Sequence, residues 1–199
     1  MQRSGATRWV IGICRVYICW AGLTIASTPF AGDAAPAKAS TCGACHGAEG
    51  KPPQSAVPVL AGQHREFLVL QMFYLREGLR DVPQMAGMLD GFTDRDLEDV
   101  AAYYSGQSIP RTSVSSDPAL HTRGAGLSKA LGCGSCHLAD FRGQKHVPRI
   151  ANQREDYLVL ALKAYRDNRR TGTDTSMNAA MYQASDADIV ALAHYLAYQ

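Results

Sequence analysis

One five-residue word, Cys-x-x-Cys-His, is spelled twice in this chain, as Cys42–His46 in "TCGACHGAEG" and as Cys133–His137 in "GCGSCHLADF". Paired thiols this close, each pair followed at once by an imidazole, are a ligand set. A fold containing them has to be organised around whatever they hold. The word does not stand alone. "QSAVPVLAGQHREFLVLQMFYLREGLRD" (54–81) aligns with "QKHVPRIANQREDYLVLALKAYRDNRRT" (144–171) at an offset of 90 residues. Gln54, Val57, Pro58, Gln63, Leu68, Val69, Leu70 and Arg76 recur as Gln144, Val147, Pro148, Gln153, Leu158, Val159, Leu160 and Arg166. "FTDRDLEDVAAYYSG" (92–106) then aligns with "ASDADIVALAHYLAY" (184–198) at an offset of 92. The chain is one unit written twice: the word, a proline, a helix, a Met-bearing loop and a last helix.

The elements between the words read as helices. His64 to Glu77 carries Phe67, Leu68, Leu70, Phe73, Tyr74 and Leu75 at helical spacing and is stopped by Gly78. Thr93 and Ser185 each precede an acid by three residues, Asp96 and Asp188, which predicts capping boxes. Asp117-Pro118 predicts a helix start with proline at its first position. No segment reads as a strand, so the expected class is all-α. The Ser- and Pro-rich stretch "SGQSIPRTSVSSDPA" predicts a linker at about 105–116. Each repeat is too small to be stable easily by itself, and a bound group at its centre would help it fold.

Three chemistries use cysteines at this spacing. A zinc ribbon places its second pair about 15–20 residues after the first, whereas 87 residues separate Cys45 from Cys133. A thioredoxin-like dithiol needs a βαβ context that is missing here. Covalent haem c is the third: two thiols form thioethers with the porphyrin and the adjacent histidine ligates iron. Two such words in a tandem repeat point to two haems, on Cys42, Cys45, Cys133 and Cys136, with His46 and His137 as axial ligands. A ligating histidine gives its other N–H to a neighbouring acceptor. The carbonyls of Pro58 and Pro148, 12 and 11 residues on, are the expected acceptors. Thioether sulfur is the expected sixth ligand. Met85 stands seven residues before Phe92, and Met177 seven before Ala184, which makes them the matched pair. Met72 reads as core, and Met88 and Met181 as packing residues. His64, His121, His146 and His194 have no counterpart histidine in the other repeat, so none is expected to bind iron.

The N-terminus carries Arg3, Arg8 and Arg15 and no acid, followed by an apolar run of 12 residues, Val16 to Ser27. That is short for a membrane span and suits a signal peptide over residues 1–31, cut between 26 and 35. Cys14 and Cys19 leave with it. The remaining 17 basic and 18 acidic residues give a net charge of −1. A near-neutral chain offers no basic stripe for nucleic acid.

With these motifs in place the chain resembles the dihaem cytochromes c of the c4 type. The resemblance rests on "CGACHG", "PVLAGQ", "QMAGMLDGFTDRDLEDVAAYYSGQ", the linker ending "DPAL", "CGSCH" and the second Met before "SDADI". It implies two tandem class I cytochrome c domains, 32–108 and 109–199, each a small helical unit wrapped around a covalent haem. It also implies His and Met axial ligands in both, haems facing each other across the interface, and an electron carrier rather than an enzyme. The implied setting is the periplasm, with loose membrane association, a respiratory donor and a terminal oxidase. A cytochrome subunit of a dehydrogenase is the alternative. A dihaem peroxidase-like enzyme would need an open iron, and the matched methionines argue against it. The second repeat departs from the family pattern at "PRIANQ", where P-x-L-x-G-Q is expected, and at the glycine-poor "CHLADF".

Overall fold

The computed structural model describes residues 35–111, 117–170 and 175–199. The predicted signal peptide and residues 112–116 of the predicted linker lie outside them. Among the described residues the secondary structure is helical, and strand pairing is confined to a single bridge between Gln144 and Val147.

The first repeat contains α1 (Ala39–His46), α2 (Arg65–Arg76), a 3₁₀ turn at Pro83–Met85 and α3 (Asp94–Ser105). The second contains α4 (Pro118–Ala130), α5 (Cys133–His137), α6 (Glu155–Arg166), α7 (Ser176–Met181) and α8 (Asp186–Ala197). The expected helix at 64–77 is α2, with His64 and Glu77 as its flanking caps. Both capping boxes form. Thr93 accepts from the Asp96 N–H and Ser185 from the Asp188 N–H, and each aspartate reaches back to the cap's own N–H. Hydrogen bonds from Arg123 and Ser185 bring the Asp188 carboxyl down to about 2, so this box stays ionised through mild acid. The Asp117 carboxylate caps α4 through the N–H groups of Ala119 and Leu120.

One expectation needs correction. The segment bearing Met177 is not a loop but the short helix α7, whereas Met85 ends a 3₁₀ turn. Asn178 explains the difference: its buried side-chain amide donates to the carbonyls of Tyr165 and Arg170, which tethers α7 to the end of α6. Its counterpart by offset in the first repeat, Ala86, has no such group.

Packing in the first repeat gathers Ala39, Leu68, Val100, Ala101 and Tyr104 between α1, α2 and α3. The second repeat builds two clusters on α6 and α8. One includes Phe141, Leu158 and Leu196; the other includes Leu162, Met181, Ile189 and Leu192. Helices α4 and α8 cross at Gly124. A Cβ added there would lie 2.2 Å from the Ala191 carbonyl oxygen and 2.5 Å from Tyr195 Cβ. Gly126, two residues on, has nothing within 4 Å of such a Cβ. Gly124→Ala should therefore destabilise the fold by about 2 kcal/mol, overpacking outweighing the gain in helix propensity. Gly126→Ala should stabilise it by about 0.5–1 kcal/mol. Denaturant midpoints of the two variants measure this, and equal shifts would refute the close crossing.

Candidate haem sites and the interface between them

The two words end their helices in the same way. His46 closes α1 and His137 closes α5, and both rings are buried, 8% and 6% exposed. His46 Nδ1 lies 3.1 Å from the Pro58 carbonyl oxygen, and His137 Nδ1 lies 2.9 Å from that of Pro148. A carbonyl only accepts, so each Nδ1 carries the proton and each Nε2 presents a lone pair. Burial lowers both imidazole pKa values, against the pull of the proline carbonyls. The rings are thus held neutral in the tautomer that suits a metal ligand.

All four cysteines of the two words are free thiols. Cys42 and Cys133 are half-buried, and burial pushes their thiols up; Cys45 and Cys136 are exposed. Among the described residues no three His, Cys, Asp or Glu side chains converge as a metal cluster. Each set is therefore two unpaired thiols and one neutral, oriented imidazole. That donor chemistry fits covalent haem c.

Met85 and Met177 are both half-buried. Met177 packs beside the Leu162–Ile189 cluster. Met181, 2% exposed, is core as expected. Met88 differs from expectation: at 38% exposed it stands at the surface rather than packing. The other histidines have structural partners. His194 Nε2 accepts from the Asp117 N–H at 2.8 Å, so its Nδ1–H faces Glu155 at 3.2 Å. His121 meets the Tyr195 ring edge-on. His64 Nε2 donates to the Arg142 carbonyl at 2.8 Å.

The last bond crosses between the repeats and belongs to a reciprocal set. Gln63 brackets the Arg149 backbone, accepting from its N–H at 2.8 Å and donating to its carbonyl at 2.9 Å. Gln153 brackets Val59 the same way, at 2.8 and 3.0 Å. By the offset of 90, Gln63 matches Gln153 and Val59 matches Arg149, so each repeat gives the other what it receives. His64 to the Arg142 carbonyl is matched by Arg154 to the Pro52 carbonyl at 3.4 Å. The bracketed residues directly follow Pro58 and Pro148, so the interface fixes the two carbonyls that orient the histidines. Arg149 reinforces it: its guanidinium donates to the carbonyls of Ala61, Gly62 and Ala151. Burial brings its pKa down to about 10, which leaves it charged at neutral pH.

The departures at "PRIANQ" and "CHLADF" leave the backbone unchanged. Asn152 adopts φ 53° where Gly62 has 63°, and Leu138 and Phe141 adopt 67° and 54° where Gly47 and Gly50 have 77° and 74°. Asparagine tolerates positive φ; for leucine and phenylalanine it costs on the order of 1–3 kcal/mol each.

Two buried, histidine-centred sites in a helical repeat define a c-type cytochrome with two haems, and the cytochrome c family model matches residues 121–199. The chain is 36% identical over 180 residues to cytochrome c4 of Pseudomonas aeruginosa, covering 83% of this chain and 88% of that protein. The crystal structure of reduced recombinant cytochrome c4 from Pseudomonas stutzeri superposes with a TM-score of 0.72 at 34% identity, covering 82% of this chain and 98% of that one. The thiosulfate dehydrogenase electron acceptor of Thiomonas intermedia is 29% identical over 184 residues, 87% of this chain and 85% of that protein. The chain belongs to the cytochrome c4 family. It carries covalent haem c and works as an electron carrier, not an enzyme.

Proposed function

We propose that the chain is a periplasmic carrier that passes single electrons from a respiratory donor to a terminal oxidase, loosely associated with the membrane. In this reading residues 1–31 are a cleaved signal, and 32–108 and 109–199 are the two cytochrome c domains. Cys42, Cys45, Cys133 and Cys136 hold the haems as thioethers. His46 and Met85 ligate one iron, His137 and Met177 the other, and the carbonyls of Pro58 and Pro148 orient the histidines. Bound haem supplies one-electron Fe(III)/Fe(II) chemistry. The protein's part is to keep both imidazoles neutral and aimed, and to hold the two sites in one rigid frame.

The observation that carries the reading is the reciprocal Gln63–Arg149 and Gln153–Val59 bracket. It builds two matched redox sites into one body, which is what a relay needs and a single catalytic centre does not. The reduced protein should be reoxidised by oxidase-bearing membranes in a cyanide-sensitive reaction and should show no peroxide turnover. A second reading is supported by the likeness to the Thiomonas intermedia electron acceptor: the donor is then a periplasmic dehydrogenase. Rapid reduction by such an enzyme, with no oxidation by membranes, would favour it.

The halves differ in charge. Residues 32–108 hold six basic and ten acidic side chains, a net of −4; residues 109–199 hold 11 and eight, a net of +3. A positive surrounding favours the reduced iron, so the haem on Cys133 and Cys136 is expected to have the higher potential, with electrons running from the first haem to the second. Screening over about 8 Å at physiological salt limits the difference. Redox titration of chains lacking one or the other cysteine pair assigns each potential. A higher potential on the haem at Cys42 and Cys45 refutes the charge argument.

A further inference from the structure

Gln63 and Gln153, 4% and 5% exposed, join the repeats through the peptide groups that hold the axial histidines. The Pro148 carbonyl and the Arg149 N–H belong to one peptide group, and so do the Pro58 carbonyl and the Val59 N–H. In the second repeat His137 Nδ1–H donates to the Pro148 carbonyl at 2.9 Å. The N–H on the other side of the same peptide donates to Gln63 Oε1 at 2.8 Å. In the first repeat His46 Nδ1–H donates to the Pro58 carbonyl at 3.1 Å, and the Val59 N–H donates to Gln153 Oε1 at 2.8 Å. Each chain of bonds therefore runs from an imidazole, through one peptide plane, to a side chain of the other repeat.

The partners of the two amides fix which way they point. Gln63 Oε1 also accepts from the His64 N–H at 3.0 Å, and Gln153 Oε1 from the Arg154 N–H at 2.9 Å. Each Nε2 donates to a carbonyl, that of Arg149 at 2.9 Å and that of Val59 at 3.0 Å. Turning either amide over would set its NH₂ against two N–H groups and its oxygen against a carbonyl. Both oxygens are therefore acceptors, and burial keeps water from competing for them.

Hydrogen bonds in series polarise one another, by roughly 10–30% per bond. An acceptor on the N–H side of a peptide draws electron density onto its carbonyl oxygen. A more negative carbonyl holds the Nδ1 proton more strongly, and Nε2, across the ring, becomes the more basic ligand. A more basic imidazole favours oxidised iron. We propose that Gln63 tunes the potential of the haem on Cys133 and Cys136, and Gln153 that of the haem on Cys42 and Cys45, each acting across the repeat boundary on the other repeat's axial histidine. Both glutamines act through another residue and are positioning residues. The proposal rests on both words carrying haem. Its consequence is crossed control: each iron answers to a side chain of the repeat that does not hold it.

Haem content is measured first, by alkaline pyridine spectra. Wild type lacking two covalent haems would defeat the haem reading itself, separately from the crossed control. Gln63→Met and Gln153→Met, close to glutamine in volume but without the accepting oxygen, are then titrated by NMR, which follows the methyl resonances of each haem separately. Gln63→Met should raise the potential of the haem on Cys133 and Cys136, and Gln153→Met that of the haem on Cys42 and Cys45, the haem of the substituted repeat moving less. In reduced protein with isotopically labelled histidine, the Nδ1 proton of His137 should move upfield in Gln63→Met while that of His46 stays, and the reverse in Gln153→Met. A merely structural loosening of the interface would move both haems together in both variants. Such a joint shift overturns the proposal, as do unmoved potentials or a larger change in the substituted repeat. If either methionine variant fails to mature, Gln63→Glu and Gln153→Glu keep an accepting oxygen and strengthen it with a charge. The potential of the haem in the opposite repeat should then fall, and by more than that of its neighbour. A potential there that stays or rises overturns the proposal.

Discussion

A chain with both Cys133 and Cys136 replaced by alanine is expected to mature with one covalent haem instead of two. Thioethers resist acid–acetone extraction, so pigment left on the protein after that treatment should fall by half. The remaining haem should be the one on Cys42 and Cys45. The change should also be felt in packing. Cys133 lies against the Phe141–Leu158–Leu196 cluster, and His137 would keep its Pro148 bond but lose the haem its Nε2 is aimed at. The second repeat is therefore expected to loosen, with α6 and α8 losing amide-exchange protection before α2 and α3. Two extraction-resistant haems in the double variant would show that the cofactor is held elsewhere.

The second large effect concerns Met85 and Met177. Alanine at either position should open one iron, turn that haem high-spin and lower its potential. Axial ligation spans about 0.8 V across haem proteins, and thioether lies toward the high end. The other haem should change little. The two variants should differ in stability. Met177 packs beside a core cluster, so its removal should cost about 2 kcal/mol, the low end for a buried methionine. Met85 belongs to no such cluster, and its loss should act mainly at iron. A fully low-spin spectrum with the Met–iron band at full strength in either variant would move the assignment to Met88 or Met181. Met88 would then be the replacement in the first repeat and Met181, 2% exposed within the core, in the second.

Much of this was legible in the sequence because it depends on local chemistry. Thr93, Ser185 and Asp117 cap helices through bonds that span three residues or fewer, and a spacing rule captures them. Gly78 ends α2 for the same kind of reason. The proline carbonyls were found because the repeat itself singles out Pro58 and Pro148. What the sequence hid depends on two distant residues meeting. Gln63 and Gln153 show as recurring letters, but their role as brackets appears only when the repeats are set face to face. His64 and Arg154 make equivalent bonds with different side chains, so comparing identities discards the pair. Arg80 and Arg170 lie inside the aligned segments, yet nothing local shows that their guanidiniums share Gln71. The helix carrying Met177 depends on Asn178 reaching back to Tyr165 and Arg170, a tether with no short pattern. The left-handed Leu138, Phe141 and Asn152 were masked because glycine is the residue that advertises that conformation.

The reciprocal bracket has a consequence for how such a molecule can diverge. Bonds in which each half returns to the other what it receives are those of a two-fold dimer, here written into one polypeptide. In a dimer of separate subunits every substitution appears twice. Arginine at position 59 as well as 149 would bury two cations instead of one in one small interface. Joining the copies removes that coupling. One half keeps Val59 while the other carries Arg149, and the two sites are free to acquire different surroundings. Joining also holds the partners at an effective concentration in the millimolar range, so the pair forms however scarce the protein is. Covalent continuity therefore lets two sites that begin identical become unequal without ever coming apart.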